Sequence, residues 1–274
     1  MNSVHSENVS AYRSRTGAEV TDERLSVHSV TFYGTPLREL AEHWRALGVR
    51  RLSLIDSQLS ESELPKIVAD EGYSVETVYH LFSSSDALLR VIDAAHGLGA
   101  RAVYMLTGGR SELTWEQAAD RFGEGVTPCV PVAEEARLTL AIENASSLYA
   151  DIHIAHTLRD TITLAEATGL GICIDLFHCW AEADLTALVQ RALPRTVAIQ
   201  LSDYVLGDRA LPARAVPGDG AIPIAPFLGS VFESGYAHGF DLELIGPRIE
   251  EEGRLAAARR ACDVVSTMLE DLDG

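Results

Sequence analysis

The chain has 274 residues, 47% of them hydrophobic, so it can bury a large core in one α/β domain or in two smaller ones. It carries 22 Lys and Arg residues against 40 Asp and Glu residues, and the resulting formal charge of -18 repels nucleic-acid phosphates and anionic lipid headgroups. We therefore expect neither nucleic acid nor a membrane among its partners.

The cysteines and the N-terminal segment indicate a cytoplasmic location. The four cysteines have neither CxxC spacing nor the density of a disulfide-stapled secreted domain. Residues 1–22 are polar and mixed in charge, without the apolar run of a signal peptide. We predict that they form a flexible N-terminal tail and that residues 23–274 form one domain.

After this tail, apolar runs of strand length alternate with helical patterns, which indicates βαβ units and a parallel sheet. The eight predicted strands are, in chain order, Ser26–Phe32, Arg51–Ile55, Ser74–His80, Ala102–Leu106, Leu138–Ile142, Gly171–Asp175, Val197–Leu201 and Phe240–Ile245. The helices predicted between them include Pro36–Leu47, Glu61–Glu71, Ser85–Leu98, Thr157–Thr168 and Asp184–Ala192. Eight βα units in roughly 250 residues predict a closed (β/α)8 TIM barrel, whose active site lies at the C-terminal strand ends.

A doubly wound sheet is the competing fold. A dinucleotide-binding version would carry G-x-G-x-x-G after an early strand. The pairs Gly169-x-Gly171 and Gly218-x-Gly220 do not complete that pattern. The strand count and the positions of polar residues at strand ends both favour the barrel.

Four predicted strands in the second half of the chain deliver metal-type ligands at or near their C-terminal ends. These ligands are Glu143, Asp175, Gln200 and Glu243. Carboxylates beside apolar strand residues are costly to bury alone, so several of them at one barrel mouth predict a cation that neutralises them. This pattern favours a metal-dependent enzyme.

These residues belong to a wider set of motifs that resembles the xylose isomerase-like TIM barrels. That superfamily includes sugar isomerases and epimerases, 3-dehydroshikimate dehydratases and endonuclease IV. The resemblance extends from about Leu25 to Leu269 and is specific from Leu138 onward. The matching motifs are Glu143 after an apolar strand, Asp175-x-x-His178, Gln200-x-x-Asp203, Pro217-Gly-Asp-Gly220, Gly235-Tyr236 and Leu242-Glu243.

The resemblance implies one divalent metal ion held by Glu143, Asp175, Gln200 and Glu243. Most isomerases of this superfamily have His where this chain has Gln200. An oxygen-only ligand set favours Mn²⁺ or Mg²⁺ over Zn²⁺. Gln at this position also resembles the dehydroshikimate dehydratase branch.

The resemblance also assigns the chemistry. Glu143 and Glu243 would form an acid/base pair that moves a proton through a metal-stabilised enediolate, and His178 would reach the substrate. Asp241 lies two residues before Glu243, so an error in the predicted strand register would exchange the two carboxylates. Gln200 has a structural alternative as a buried amide bonded to a neighbouring carboxylate.

The remaining candidates are substrate-binding residues, and each of them has packing as its alternative. His80 closes the third predicted strand. Trp180 and Tyr204 would wall the pocket, and Asp203 and Arg214 lie after strand seven, where the resemblance places substrate contacts. Only Arg110, Arg209 and Arg214 are candidates for binding a phosphate, so a phosphorylated substrate is less favoured. The expected substrate-binding residues are His80, Trp180, Asp203, Tyr204 and Arg214.

The sequence therefore predicts an isomerase or epimerase that acts on a small polyol, cyclitol or keto-sugar. The sequence does not decide whether the protein forms a homo-oligomer. The alternatives are a metal-dependent dehydratase of the 3-dehydroshikimate or inosose type and a non-catalytic sugar-binding barrel. A Schiff-base aldolase is disfavoured because Lys66, the only lysine, lies in a predicted helix. The negative charge argues against a DNA-repair nuclease.

Overall fold

Eight parallel strands form a closed barrel in the computed structural model, which describes residues 21–273. The strands pair in chain order from β1 to β8, and β8 pairs back to β1. This confirms the predicted single-domain (β/α)8 barrel. The strands are Leu25–His28 (β1), Arg51–Ile55 (β2), Ser74–Leu81 (β3), Ala102–Leu106 (β4), Thr139–Glu143 (β5), Gly171–Asp175 (β6), Thr196–Leu201 (β7) and Phe240–Leu242 (β8).

Helices cover the outside of this barrel. The long C-terminal helix packs beside the first helix and closes the ring of helices. The helices are Leu37–Leu47 (α1), Leu64–Glu71 (α2), Ser85–Gly97 (α3), Trp115–Val126 (α4), Val130–Glu135 (α5), Leu158–Thr168 (α6), Leu176–Cys179 (α7), Leu185–Ala192 (α8), Ile224–Glu233 (α9), Pro247–Glu252 (α10) and Arg254–Asp273 (α11). None of the helices in residues 21–273 is long and apolar enough to cross a membrane.

Two predicted strands are shorter than expected. The first was predicted to reach Phe32 but ends at His28, because the His28 ring accepts a hydrogen bond from the Val30 backbone N–H and begins a 3-10 turn. The last was predicted to reach Ile245 but ends at Leu242. Of the predicted N-terminal tail, residues 1–20 lie outside the described residues.

Apolar and polar side chains alternate along the strands, so the barrel has an apolar outer face and a more polar inner face. Val27, Leu52 and Leu54 are buried in the large cluster of apolar residues that includes the helices. Inside the barrel, the Ser53 hydroxyl lies 2.7 Å from the Thr77 hydroxyl, and Tyr104 packs with small residues. Because successive strand residues point to opposite faces, this pattern decides which strand-end residues enter the barrel mouth.

Candidate active site

Glu143 and Asp175 end the neighbouring strands β5 and β6, and both are buried. Asn144 locks these strand ends together, since its amide donates to the Asp175 carbonyl at 2.8 Å and accepts from the Asp175 backbone N–H at 2.9 Å. The His153 Nε2 donates to the Glu143 carbonyl oxygen at 2.9 Å, while His153 Nδ1 accepts from the Thr107 backbone N–H. The two carboxylates therefore stand on a fixed backbone.

Arg214 joins this pair to the carboxylate of Glu243. Its Nη2 atom lies 2.5 Å from Asp175 Oδ2 and 3.0 Å from Glu243 Oε1. Its Nη1 atom donates to the Ser202 hydroxyl at 3.0 Å, and its guanidinium carbon lies 4.7 Å from the centre of the Phe177 ring. The guanidinium is buried, and it bridges strand-end carboxylates from opposite sides of β7.

The two acidic residues near the end of the chain occupy different depths of the barrel. Asp241, on β8, accepts a hydrogen bond from the Ser26 hydroxyl at 2.7 Å. Glu243 follows β8 and meets Arg214. Both side chains are buried on the inner face, but Glu243 is the one beside Asp175 and Arg214. Glu243, which the sequence analysis preferred to Asp241, therefore lies at this cluster.

Gln200, on β7, forms a hydrogen bond with the Glu243 carboxylate from inside the barrel. Its Nε2 atom donates to Glu243 Oε2 at 2.5 Å and to the Tyr104 hydroxyl at 3.1 Å, while its Oε1 atom lies 3.5 Å from Cys173 Sγ. The Tyr104 hydroxyl in turn lies 2.6 Å from His28 Nε2. In this orientation Gln200 presents N–H groups, and not its oxygen, to the carboxylate.

Sequence reasoning missed Tyr104 and His28 as members of this network. Because His28 Nδ1 accepts from the Val30 N–H, the ring proton stands on Nε2 and points at Tyr104. Both residues stand at inward-facing positions of β4 and β1. The period-two alternation of these strands was the signal that could have placed them in the interior.

The pKa values of the three carboxyl groups separate in this cluster. Burial raises the pKa of Glu143 well above its ordinary value, and the negative charges of Glu243 and Asp175 add to the shift. Burial also raises the pKa of Glu243 to about 7, against the lowering effect of Arg214. For Asp175, burial acts upward, but Arg214 and His178 hold the pKa below its ordinary value. Carboxyl groups with such different proton affinities can act as acid and base in one site.

His178 stands beside these carboxylates. Its Nε2 atom lies 3.5 Å from Asp175 Oδ2 and 3.4 Å from Arg214 Nη2, and its side chain is 6% exposed. Burial lowers the pKa of His178 to about 4, although Asp175 opposes the shift. His178 is therefore a neutral ring at neutral pH, able to form a hydrogen bond with a substrate hydroxyl.

The donor set fits a divalent cation. Among residues 21–273, Glu143, Asp175 and His178 offer ligand atoms that all lie within 4.8 Å of one another. With Glu243 included, three buried carboxyl groups share the single positive charge of Arg214, and ionisation of all three would leave two negative charges unbalanced. Buried charge of this kind is costly unless it is paired or coordinates a metal. Carboxylate oxygens favour a hard cation.

Asp203 holds the loop that follows β7. Its two carboxylate oxygens accept hydrogen bonds from the backbone N–H groups of Tyr204, Gly218, Gly220 and Ile222, at 2.8 to 3.0 Å. A Cβ atom at Gly220 would collide with this carboxylate, so the close approach requires glycine. The structure therefore places Asp203, an expected substrate-binding residue, in loop support.

His80 lies away from the other candidates. Its Nδ1 atom is 2.6 Å from the Asp56 carboxylate. The preceding residue, Tyr79, packs against the rings of His28 and Tyr104 inside the barrel. Neighbouring strand residues point to opposite faces, so the His80 side chain points out of the barrel interior. The structure does not bring it together with the carboxylate cluster.

Trp180 and Tyr204 line a cavity of about 340 Å³ at the barrel mouth. His178 and Phe177 form part of the same cavity wall, which places it beside the carboxylate cluster. Arg209 reaches the cavity from the loop after β7. The structure thus brings three expected substrate-binding residues, Trp180, Tyr204 and Arg214, close to His178.

Comparisons with known proteins agree with this fold. The profile of the xylose isomerase-like TIM barrel family matches residues 16–266. No curated protein sequence matches the chain.

Similar solved structures include an IolI protein with a bound zinc atom. It is 14% identical, with a TM-score of 0.75 over 90% of this chain and 98% of its own. The D-psicose 3-epimerase of Clostridium cellulolyticum H10, solved with D-tagatose, is 14% identical, with a TM-score of 0.75 over 90% of this chain and 99% of its own. The probable 3-DHS dehydratase AsbF of Bacillus anthracis is 13% identical, with a TM-score of 0.70 over 88% of this chain and 98% of its own. At these identities the likeness shows the fold.

Proposed function

The chain belongs to the xylose isomerase-like TIM barrel family, and we propose that it is a divalent-metal-dependent isomerase or epimerase of a small keto-sugar, cyclitol or related hydroxy-ketone. The observation that carries this proposal is the pair of buried carboxyl groups, Glu143 and Glu243, with raised pKa values at one barrel mouth. Proton transfer next to a carbonyl needs groups whose pKa values lie close to the working pH.

Glu143, Asp175 and Glu243 would hold the metal ion. Gln200 stays a predicted fourth ligand, and its amide would have to turn before its oxygen could serve, because Nε2 now faces Glu243. When bound, a divalent ion polarises a substrate carbonyl and makes the neighbouring C–H more acidic. The zinc atom bound by the IolI protein, which has the same fold, supports the proposal of a metal ion in this chain.

The side chains supply the proton transfers. Glu243, with its pKa near 7, can accept a proton from the substrate carbon and return it. Glu143, on β5, would be its partner in the acid/base pair. Neutral His178 accepts or donates a hydrogen bond at a substrate hydroxyl and so orients the reacting carbon.

A dehydratase is the second candidate, favoured by Gln200 at the usual histidine position and by the fold shared with the probable dehydratase AsbF. Elimination would also begin with removal of a proton next to a carbonyl, but it would then expel a hydroxyl. His178 is the side chain at the cavity that could serve the departing group. The two reactions differ in the mass of their products.

The test is a screen of keto-sugars, an inosose and dehydroshikimate with Mn²⁺-loaded protein in D₂O, read by proton NMR and mass spectrometry. An isomer with deuterium on the carbon next to the carbonyl supports the proposal, and loss of one water supports the dehydratase. We expect Glu243→Gln to lower the rate by on the order of 10²-fold or more. The control is Asp241→Asn, which removes a buried carboxylate deeper in the same barrel.

Three results would contradict the proposal. The first is a Glu243→Gln variant with unchanged deuterium exchange. The second is an Asp241→Asn variant that loses exchange as completely as Glu243→Gln while remaining folded. The third is the absence of both bound metal and turnover on every hydroxy-ketone, which would leave the sugar-binding barrel as the remaining hypothesis.

A further inference from the structure

The cavity at the barrel mouth has two unlike regions. Its inner wall carries His178, which adjoins the carboxylate cluster. Its outer walls carry Tyr149, Phe177, Trp180 and Tyr204, all of them partly exposed. The cavity volume of about 340 Å³ falls in the range of sites that hold small organic ligands, about 300 to 1,000 Å³. We call the outer region, between Leu148, Trp180, Tyr204 and Leu211, the vestibule.

The aromatic rings of the vestibule form a fixed platform. The Trp180 and Tyr204 rings lie 6.3 Å apart between centroids and are inclined by 37°, while Phe177 meets Tyr204 edge-on at 6.0 Å. The Tyr204 hydroxyl donates to the Asp208 carbonyl at 2.7 Å, and it accepts from Arg209 Nη1 at 2.9 Å. Because both ends of the Tyr204 side chain are held, the ring is ready to stack before any ligand arrives.

The acidic and basic residues of the vestibule, Asp208 and Arg209, both make contacts within the protein. The Asp208 carboxylate accepts from the Ala210 backbone N–H at 2.9 Å and from Arg248 Nε at 2.7 Å. Arg209 Nη1 is shared between the Tyr204 hydroxyl and the Asp208 carbonyl. A second sugar ring or a phosphate would require several free hydrogen-bonding partners, whereas a flat apolar group requires few.

The rim continues this apolar character. The Leu148 and Leu211 side chains are 66% and 54% exposed, although both line the cavity. They belong to the loops that follow β5 and β7, the strands that carry Glu143 and Gln200. An apolar group extending from the reacting sugar toward solvent would cover both leucines.

We propose that the vestibule binds an aryl substituent of the substrate, so that the natural substrate is a glycoside or ether of the reacting sugar with an aromatic group. The sugar ring would lie against His178 and the carboxylate cluster, and the aryl group would stack on the platform that Trp180 and Tyr204 form. This inference deepens the proposed function and rests on it for the identity of the reacting ring. The aryl-binding part stands on the vestibule alone.

The test measures binding without turnover. Dissociation constants of p-nitrophenyl β-D-glucoside, methyl β-D-glucoside and glucose 1-phosphate are determined by ligand-observed proton NMR titration of the Mn²⁺-loaded protein. Burial and stacking of one aromatic ring predict that the aryl glycoside binds on the order of 10- to 100-fold more tightly than the methyl glycoside. Trp180→Ala and Tyr204→Ala should each lower this affinity ratio by on the order of 10-fold.

The matched control is Tyr33→Ala, which removes an aromatic ring that is 68% exposed in the loop after β1 and does not line the cavity. It should leave the ratio unchanged. Circular dichroism verifies the fold of each variant. If the wild-type protein catalyses no deuterium exchange on any hydroxy-ketone but still prefers the aryl glycoside to the methyl glycoside, the proposed function is refuted and the assignment of the vestibule is not.

Four outcomes would overturn the inference. They are no binding of either glycoside, equal binding of the aryl and methyl glycosides, tighter binding of glucose 1-phosphate than of the aryl glycoside, and an aryl preference that survives both Trp180→Ala and Tyr204→Ala. A change in molecular mass of Trp180→Ala, measured by light scattering, would also overturn it and would identify the vestibule as a contact between copies of the chain.

Discussion

The buried guanidinium of Arg214 gives the sharpest prediction about the stability of this fold. We choose Arg214→Met, which keeps a long side chain but removes the charge. The change leaves Asp175 and Glu243 without the cation that lies 2.5 and 3.0 Å from their oxygens. It also removes the guanidinium from the face of the Phe177 ring.

Breaking a buried ion pair by removing one partner costs about 3–5 kcal/mol, because the other charge stays buried and uncompensated. The lost contact with the Phe177 ring adds about 0.5–2 kcal/mol at most, and the methionine side chain recovers part of it by packing. Since native domains are stable by about 5–15 kcal/mol, the variant should fold but with a large fraction of its stability lost.

The loss should depend on pH. In the folded protein the pKa of Glu243 lies near 7, above its ordinary value of 4.5, so the folded state holds a proton that the unfolded chain releases, and stability falls as pH rises between these values. Without Arg214 this pKa rises further and the window extends upward. The Asp175 carboxylate, whose pKa Arg214 helps to lower, stops stabilising the fold above its unfolded pKa. Both effects make the variant weakest at high pH.

The assay is urea unfolding in EDTA at pH 5.5 and pH 8, for the wild type and for Arg214→Met. The control is Arg209→Met, which removes an exposed arginine of the same loop and should cost less than about 1 kcal/mol. Adding Mn²⁺ should restore much of the stability of Arg214→Met, because a bound cation stabilises the folded state. A loss below about 1 kcal/mol at pH 8, or an equal loss at both pH values, would refute this account of the cluster.

Two further predictions concern the network beneath Glu243. Gln200→His should raise the affinity for Zn²⁺ relative to Mn²⁺ in calorimetric titrations, because imidazole suits zinc better than an amide oxygen does, and an unchanged ratio would exclude this position from the metal site. Tyr104→Phe leaves the His28 Nε2–H without its acceptor and should lower the free energy of unfolding by about 1–3 kcal/mol in urea titrations. An unaltered unfolding midpoint would show that the Tyr104 hydroxyl is not needed there.

Much of the fold could be predicted from the sequence because it depends on local patterns. Apolar runs of about five residues separated by helical segments require a parallel sheet, and eight of them fit a closed barrel. The predicted strand ends were wrong where a side-chain hydrogen bond ends the strand earlier than the apolar pattern does. His28 is the example, since its ring accepts from the Val30 N–H and turns the chain four residues before the predicted strand end.

The carboxylate cluster was foreseeable for the same reason, but its internal contacts were not. Barrel closure brings the C-terminal ends of all strands to one mouth, so Glu143, Asp175 and Glu243 had to be neighbours once the barrel was accepted. The bond between Tyr104 and His28, by contrast, joins residues 76 positions apart on strands that are not paired with each other. No local pattern specifies which inward-facing residues meet across the barrel interior.

Asp175 and Asp203 show why residue type at a strand end does not decide function. Asp203 meets four backbone N–H groups, so its lone pairs are filled and it can only hold its loop. Asp175 accepts a single backbone N–H at a carboxylate oxygen and faces Arg214 and His178 with the rest. The charge of Asp175 is balanced by the Arg214 side chain, which can move to another partner. The backbone N–H groups that bind Asp203 are fixed by the fold and cannot. A carboxylate is therefore available to a cation or a substrate where the fold leaves an oxygen to side chains, as it does for Asp175 Oδ2 and Glu243.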